Sequence, residues 1–221
     1  MNTIQLTLTR IARRVSPLQR VPAILAMAML PSATFAATIY DEGTDGDLDG
    51  AGASATPLPL LTLGSNQVFG ETGRNSAAVR DLDYFTFTVP AGFQLTQILL
   101  LKSAPNAKGF AGFEVGSQFT VPPTVTDAAG LLGWVHYSAL QVGTDLLDDI
   151  GGSGFGATGF TPPLGAGTYS VWVQDTNPGP LPYGFDFILR PVPDQGNGVF
   201  VAAMASLGTF SFYSRNRSRL S

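Results

Sequence analysis

The segment Asp41-Glu42-Gly43-Thr44-Asp45-Gly46-Asp47-Leu48-Asp49-Gly50 is the densest group of potential metal ligands in the chain. Asp45, Asp47, Asp49 and Gly50 match the first half of a D-x-D-x-D-G calcium loop. In such a loop alternate positions turn oxygens inward and the glycine permits a sharp bend. Thr56 stands where the bidentate Glu of a full EF-hand belongs, and Pro57 and Pro59 oppose a following helix, so a full EF-hand is not expected. Two readings stay open: a simpler calcium site, completed if Asp81 or Asp83 folds against the loop, and a solvated acidic linker.

The other reactive residues are sparse. The single histidine, His136, lies in the β-like run Trp134-Val135-His136-Tyr137. A Ser–His–Asp arrangement would have to use it, but no Gly-x-Ser-x-Gly elbow accompanies a strand-to-helix pattern, and Gly151-Gly152-Ser153-Gly154 reads as a loop. A structural or surface histidine is the expectation. Asp145, Asp148 and Asp149 cluster with Glu114 apart, and nothing in their spacing sets an acid opposite a nucleophile for glycoside hydrolysis. Trp134, Trp172 and Tyr183 would stack on sugar rings if exposed, but alternating strand positions favour the core. The chain has no cysteine, which excludes thiol catalysis and cysteine-ligated zinc, and one histidine excludes a multi-histidine zinc site.

The elements that must position these groups read as strands. In Tyr84-Phe85-Thr86-Phe87-Thr88-Val89, residues Phe85, Phe87 and Val89 face one way and Tyr84, Thr86 and Thr88 the other, before Pro90-Ala91-Gly92 turns the chain. Leu95 to Leu101 reads as a strand covered on both faces. Phe110 to Val121, Gly133 to Leu140, Thr168 to Gln174 and Tyr183 to Leu189 are further strands, with edge strands near Leu61 and Val68. Gly143 to Ile150 gives one turn of helix at most. The pattern predicts an all-β fold, an antiparallel β-sandwich.

Asp81-Leu82-Asp83 leading into Tyr84 to Val89 and Pro90-Ala91-Gly92 resembles the central motif of bacterial pre-peptidase C-terminal domains. Gly167-Thr168-Tyr169-Ser170-Val171-Trp172-Val173-Gln174 resembles their late Gly-Thr-Tyr strand. Together these cover 20 residues. The resemblance implies a jelly-roll-like, non-catalytic module tied to adhesion, substrate targeting or assembly.

Both ends of the chain look like addresses. Arg10, Arg13, Arg14 and Arg20 precede the apolar run Val21 to Leu30, and Thr34 and Ala36 occupy the small-residue positions that a signal peptidase needs. Cleavage after Ala36 is expected, so residues 1–36 form a signal helix. At the other end, Val192-Pro193-Asp194-Gln195-Gly196 precedes an uncharged run from Asn197 to Tyr213, and Arg215, Arg217 and Arg219 follow. As a helix that run covers roughly 25 Å, marginal for the ~30 Å hydrocarbon core, with the arginines as a cytoplasmic stop. This tail resembles the PEP-CTERM family of bacterial sorting signals in a Val-Pro-Asp variant, with Asp194 for Glu and Gln195 for the second Pro. The resemblance implies recognition by an exosortase, a membrane transpeptidase of Gram-negative bacteria that make extracellular polysaccharide.

The expected organisation is therefore a signal peptide (1–36), a β-sandwich domain (37–191) and a sorting signal (192–221). The central part carries 15 acidic and 5 basic residues, a formal charge of −10. Such a surface repels phosphate backbones, so nucleic acid is not an expected partner. The expectation is an exported envelope or extracellular-matrix protein, held transiently in the inner membrane, with a non-catalytic structural or adhesive role. The alternatives are a carbohydrate-binding module facing extracellular polysaccharide and a secreted hydrolase. Calcium, on Asp45, Asp47, Asp49, Asp81 and Asp83, is the one cofactor considered.

Overall fold

The computed structural model describes residues 36–75, 79–124 and 127–193. Nine strands account for most of the regular structure: β1 (Ala37–Asp41), β2 (Thr56–Pro57), β3 (Asn66–Arg74), β4 (Arg80–Val89), β5 (Phe93–Ser103), β6 (Gly109–Val115), β7 (Gly133–Tyr137), β8 (Gly167–Gln174) and β9 (Leu181–Pro191). Two short helices, α1 (Glu42–Asp45) and α2 (Leu147–Gly151), interrupt them. The strands form a mostly antiparallel, barrel-like sheet in the order β5-β9-β3-β4-β8-β6-β7. The pairings of β1 with β3 and of β2 with β4 are parallel.

The β3–β4 pairing consists of only Gly73 with Asp81 and Arg74 with Arg80, so the sheet turns a corner there. Across that corner Phe85 and Phe87 of β4 pack on Phe187 of β9, with ring centroids 6.3 and 4.9 Å apart. The expected alternation holds: Phe85, Phe87 and Val89 enter the main core, where they meet Tyr183, Phe185, Phe187 and Leu189 of β9. Each such burial contributes roughly 2 kcal/mol. Tyr84 faces the other way, into a second cluster with Phe119 and Trp172.

Several boundaries differ from the expectations. The Phe110 to Val121 strand ends at Val115, because Gly116 takes a left-handed φ of 115° and Glu114 folds the next residues back. Val68 lies in β3, flanked by β1 and β9, and is not an edge position. Leu95 to Leu101 belongs to β5, where Leu99 and Leu101 are only half buried because β5 ends the sheet. A buried network fixes the segment before β3: Asn66 donates to the carbonyls of Thr62, Gly64 and Phe187, and its amide donates to Asp186 at 2.8 Å.

The expected signal and tail helices lie outside the described residues, as do Asp194, Gln195, Gly196, Arg215, Arg217 and Arg219. Among the described residues no helix is long and apolar enough to cross a membrane.

Candidate functional site

Two clefts collect the residues with chemical potential. The first forms where the acidic N-terminal segment meets the starts of β4 and β9. Alternation along β4 puts Asp83 on the side of Phe85 and Phe87, so a carboxylate points inward at one end of the core. Asp83 is 0% exposed, and no backbone amide or cationic group donates to its oxygens. The Tyr183 hydroxyl, on an inward position of β9, is buried beside it and acts on Asp83 as a side-chain hydrogen-bond donor of poor geometry, which works against the rise of the Asp83 carboxyl.

Glu42 arrives from α1. Its carboxylate accepts the Leu48 amide at 2.8 Å and the Glu71 amide at 2.6 Å, which closes the loop after α1 and holds it on β3. One oxygen each of Glu42, Asp47 and Asp83 lies within 4.8 Å of the other two. Burial, then the Glu42 charge, pushes the Asp83 carboxyl up to about 9. Burial also pushes Glu42 up to about 7, against the two amide bonds that favour its charged form. The Asp81 carboxyl is raised by burial and by its acidic neighbours Asp47 and Glu71. The cleft encloses about 570 Å³, and its wall includes Asp41, Glu71, Asp81 and Lys102.

Of the five aspartates singled out in the sequence, Asp47 and Asp83 come together and Asp81 lies on the adjoining wall. Asp45 and Asp49 do not join them. Asp45 accepts the Asp41 amide at 2.8 Å, and Asp49 accepts the Ala51 amide at 2.8 Å. Glu42 escaped sequence reasoning because it lies outside the D-x-D spacing. The inward phase of Asp83, two residues before Phe85, was the signal available.

The second cleft lies on the outer face of β4, β8, β6 and β7. Register aligns Tyr84, Trp172, Gly112 and Trp134 in one row across these four strands. Gly112 leaves room between the two tryptophans, and Phe110 stacks 6.2 Å from Trp134 and 4.7 Å edge-on to Trp172. The Trp134 indole donates to the Gly154 carbonyl at 2.9 Å and so pins the turn that carries Phe155. Phe155 has a left-handed φ of 52°, is 75% exposed, and stands 5.6 Å from Trp134. An aromatic residue at positive φ stores strain, a feature that gathers at ligand sites. The cleft encloses about 300 Å³, with Asp127, His136 and Gln174 as its polar groups. Trp172 is buried and its indole N–H has no hydrogen-bond partner. Trp134 is only half buried, because β7 is the last strand of the sheet.

Glu114 and Asp145 serve the backbone. Buried Glu114 accepts the amides of Thr120 and Val121 and the Thr120 hydroxyl. Asp145 accepts the amides of Ile98 and Leu147, and Asp148 and Asp149 are exposed. His136 is exposed, its Nδ1 3.3 Å from the Gly109 carbonyl and its ring against Trp134. Comparisons of the chain with protein-family models, curated proteins and solved structures return no match.

Proposed function

We propose that this chain is an exported, exosortase-sorted protein of the cell envelope or extracellular matrix of a Gram-negative bacterium. Residues 37–191 form a non-catalytic, jelly-roll-like β-sandwich of the pre-peptidase C-terminal type, and the sandwich adheres to neutral polysaccharide through the aromatic cleft. The order of charge, apolar run and small residues in 1–36 supports export, and the Val192-Pro193-Asp194 tail with its arginines supports sorting. The ring contacts between β4 and β9, strands that share no ladder, support two facing layers. The use of Glu114 and Asp145 as backbone acceptors supports a structural role for the acids.

The adhesive reading rests on one observation: the open cleft bounded by Trp134 and Phe155. A pyranose ring offers apolar C–H faces that pack on aromatic rings and hydroxyls that bond to polar groups at the rim. Asp127, His136 and Gln174 supply such a rim. The formal charge of −10 selects against polyanionic glycans. Electrophoresis of the purified protein through gels cast with neutral polysaccharides tests this. The wild type is expected to be retarded, and Phe155→Ala and Trp134→Ala to lose most of the retardation. Phe155→Ala should also keep its melting temperature, because that ring is mostly in solvent. An unretarded wild type across neutral glucans, galactans and mannans would overturn the reading.

A further inference from the structure

We propose that the end of the fold where β4, β6 and β9 finish is a membrane-contact face, seated on the headgroups of an anionic bilayer while the tail is attached. This goes beyond the adhesive reading and rests on the sorting reading, in which the run from Asn197 enters the inner membrane.

Strand register defines the face. Val89 at the end of β4 pairs with Gly167 at the start of β8, and Phe93 at the start of β5 pairs with Pro191 at the end of β9. Val115 ends β6 beside Tyr169 of β8. The link between β2 and β3 crosses the same end: the Leu58 amide donates to the Thr86 carbonyl, and Gly64 bridges to Leu189. Within that link Leu61 is buried, whereas Leu60 and Leu63 on either side are 61% and 43% exposed. Val115 and Val192 are exposed at this end too. Leucines and valines gathered in solvent at one end mark an interaction surface.

Charge is the second, independent observation. Residues 57–66, 87–95, 115–118, 160–169 and 188–193, which build this end, contain no acid and one base, the exposed Arg190. Residues 37–191 carry a formal charge of −10, so anionic headgroups repel the domain unless it turns an acid-free side to them. Asp83 and Asp81 precede Val89 on β4 by roughly 20–26 Å of strand, beyond the ~10 Å over which exposed charges act in ordinary salt. Leucine side chains enter the boundary between headgroups and acyl chains, and an arginine beside them meets the phosphates.

Reach decides for a lipid surface. Only Asp194, Gln195 and Gly196 separate Pro193 from the uncharged run at Asn197. Fully extended, that interval covers at most roughly 14 Å. The headgroup region on one side of a bilayer takes up about 5–7 Å of it. An anchored domain therefore stays at the surface, and Val192, bonded to the Gly92 carbonyl, sets this end towards it. Ala37, just past the expected signal cleavage, pairs with Asn66 at the same end, so the two expected processing points share one face.

The chain has no cysteine, so a single introduced cysteine reports position. Leu60→Cys, Leu63→Cys, Val115→Cys and Leu140→Cys are made in the full chain, labelled with a nitroxide and reconstituted with the tail attached into phosphatidylethanolamine–phosphatidylglycerol nanodiscs. Leu140 is 95% exposed just after β7, at the opposite end, and serves as the reference. All four side chains are exposed, so each variant should keep the wild-type Tm. Power-saturation EPR compares collisions with O2, which concentrates in lipid, and with a water-soluble Ni2+ chelate. The O2-to-Ni2+ ratio at Leu60, Leu63 and Val115 is expected to exceed that at Leu140 several-fold. Protein that co-elutes with the discs but gives the Leu140 ratio at all three positions would overturn the proposal and leave the sorting reading intact. So would labels shielded from both reagents, the mark of a protein partner. Wild-type protein that fails to enter the discs would instead remove the sorting reading, and this proposal with it.

Discussion

Glu42 and Asp83 show how differently two neighbouring carboxylates can be treated. Glu42 holds two backbone amides, 23 residues apart in sequence, while Asp83 holds none. Burial raises both above their ordinary values, Glu42 to about 7 and Asp83 to about 9. An acid whose folded pKa is raised keeps its proton in the folded state after the unfolded chain has lost it. The folded state then binds more protons, so stability falls as pH rises. Urea denaturation is expected to show stability declining from about pH 4, the unfolded carboxylate value, towards pH 9. A rise across that window would contradict the environment described for the pair. The inward phase of Asp83 was legible from its offset to Phe85, but its meeting with Glu42 was not, because it depends on α1 folding back against β3. The half-exposure of Trp134 was hidden too. It sits on alternating positions like Trp172, and only the position of β7 at the sheet edge separates them.

At the scale of elements, alternation was legible in β4, where Phe85, Phe87 and Val89 enter the main core and Tyr84 the second cluster. It failed at Leu95 to Leu101, where a largely apolar run, broken by Thr96 and Gln97, sits in an end strand with register shifts near Leu95 and Leu100. It also missed β1, whose residues Ala37–Asp41 are short, partly polar and recruited to the fold only by parallel pairing with β3. The α2 helix depends on a glycine that no pattern announces. A Cβ at Gly133 of β7 would overlap the Ile150 carbonyl of α2. Gly133→Ala is therefore expected to displace α2, which carries buried Leu147 and Ile150, and to cost about 2–4 kcal/mol in urea denaturation. A cost within about 0.5 kcal/mol, the scale of an innocuous surface change, would mean that α2 moves freely.

For the whole molecule, the near-neutral total charge conceals a partition. Seven of the 12 basic residues lie before residue 37 or after residue 191, and the part between them is strongly acidic. Replacing Val192-Pro193-Asp194 is expected to leave uncleaved protein in the inner membrane fraction, followed by immunoblot against the domain. Unchanged processing would remove the sorting proposal. Val192 donates its amide to the Gly92 carbonyl at 2.9 Å, so the first motif residue lies against the folded domain, and any enzyme acting there must approach closely.

The pairings at the ends of the domain also give it a direction. Ala37 pairs with Asn66, and Leu189 bridges to neighbouring Gly64, so the described chain enters and leaves the fold at one pole. Glu71, Asp81 and Asp83 lie towards the other ends of β3 and β4, near the Gly73–Asp81 corner. A domain held through Pro193 would thus stand with its foot at both ends of the described chain and its acidic head turned outward to the surrounding medium.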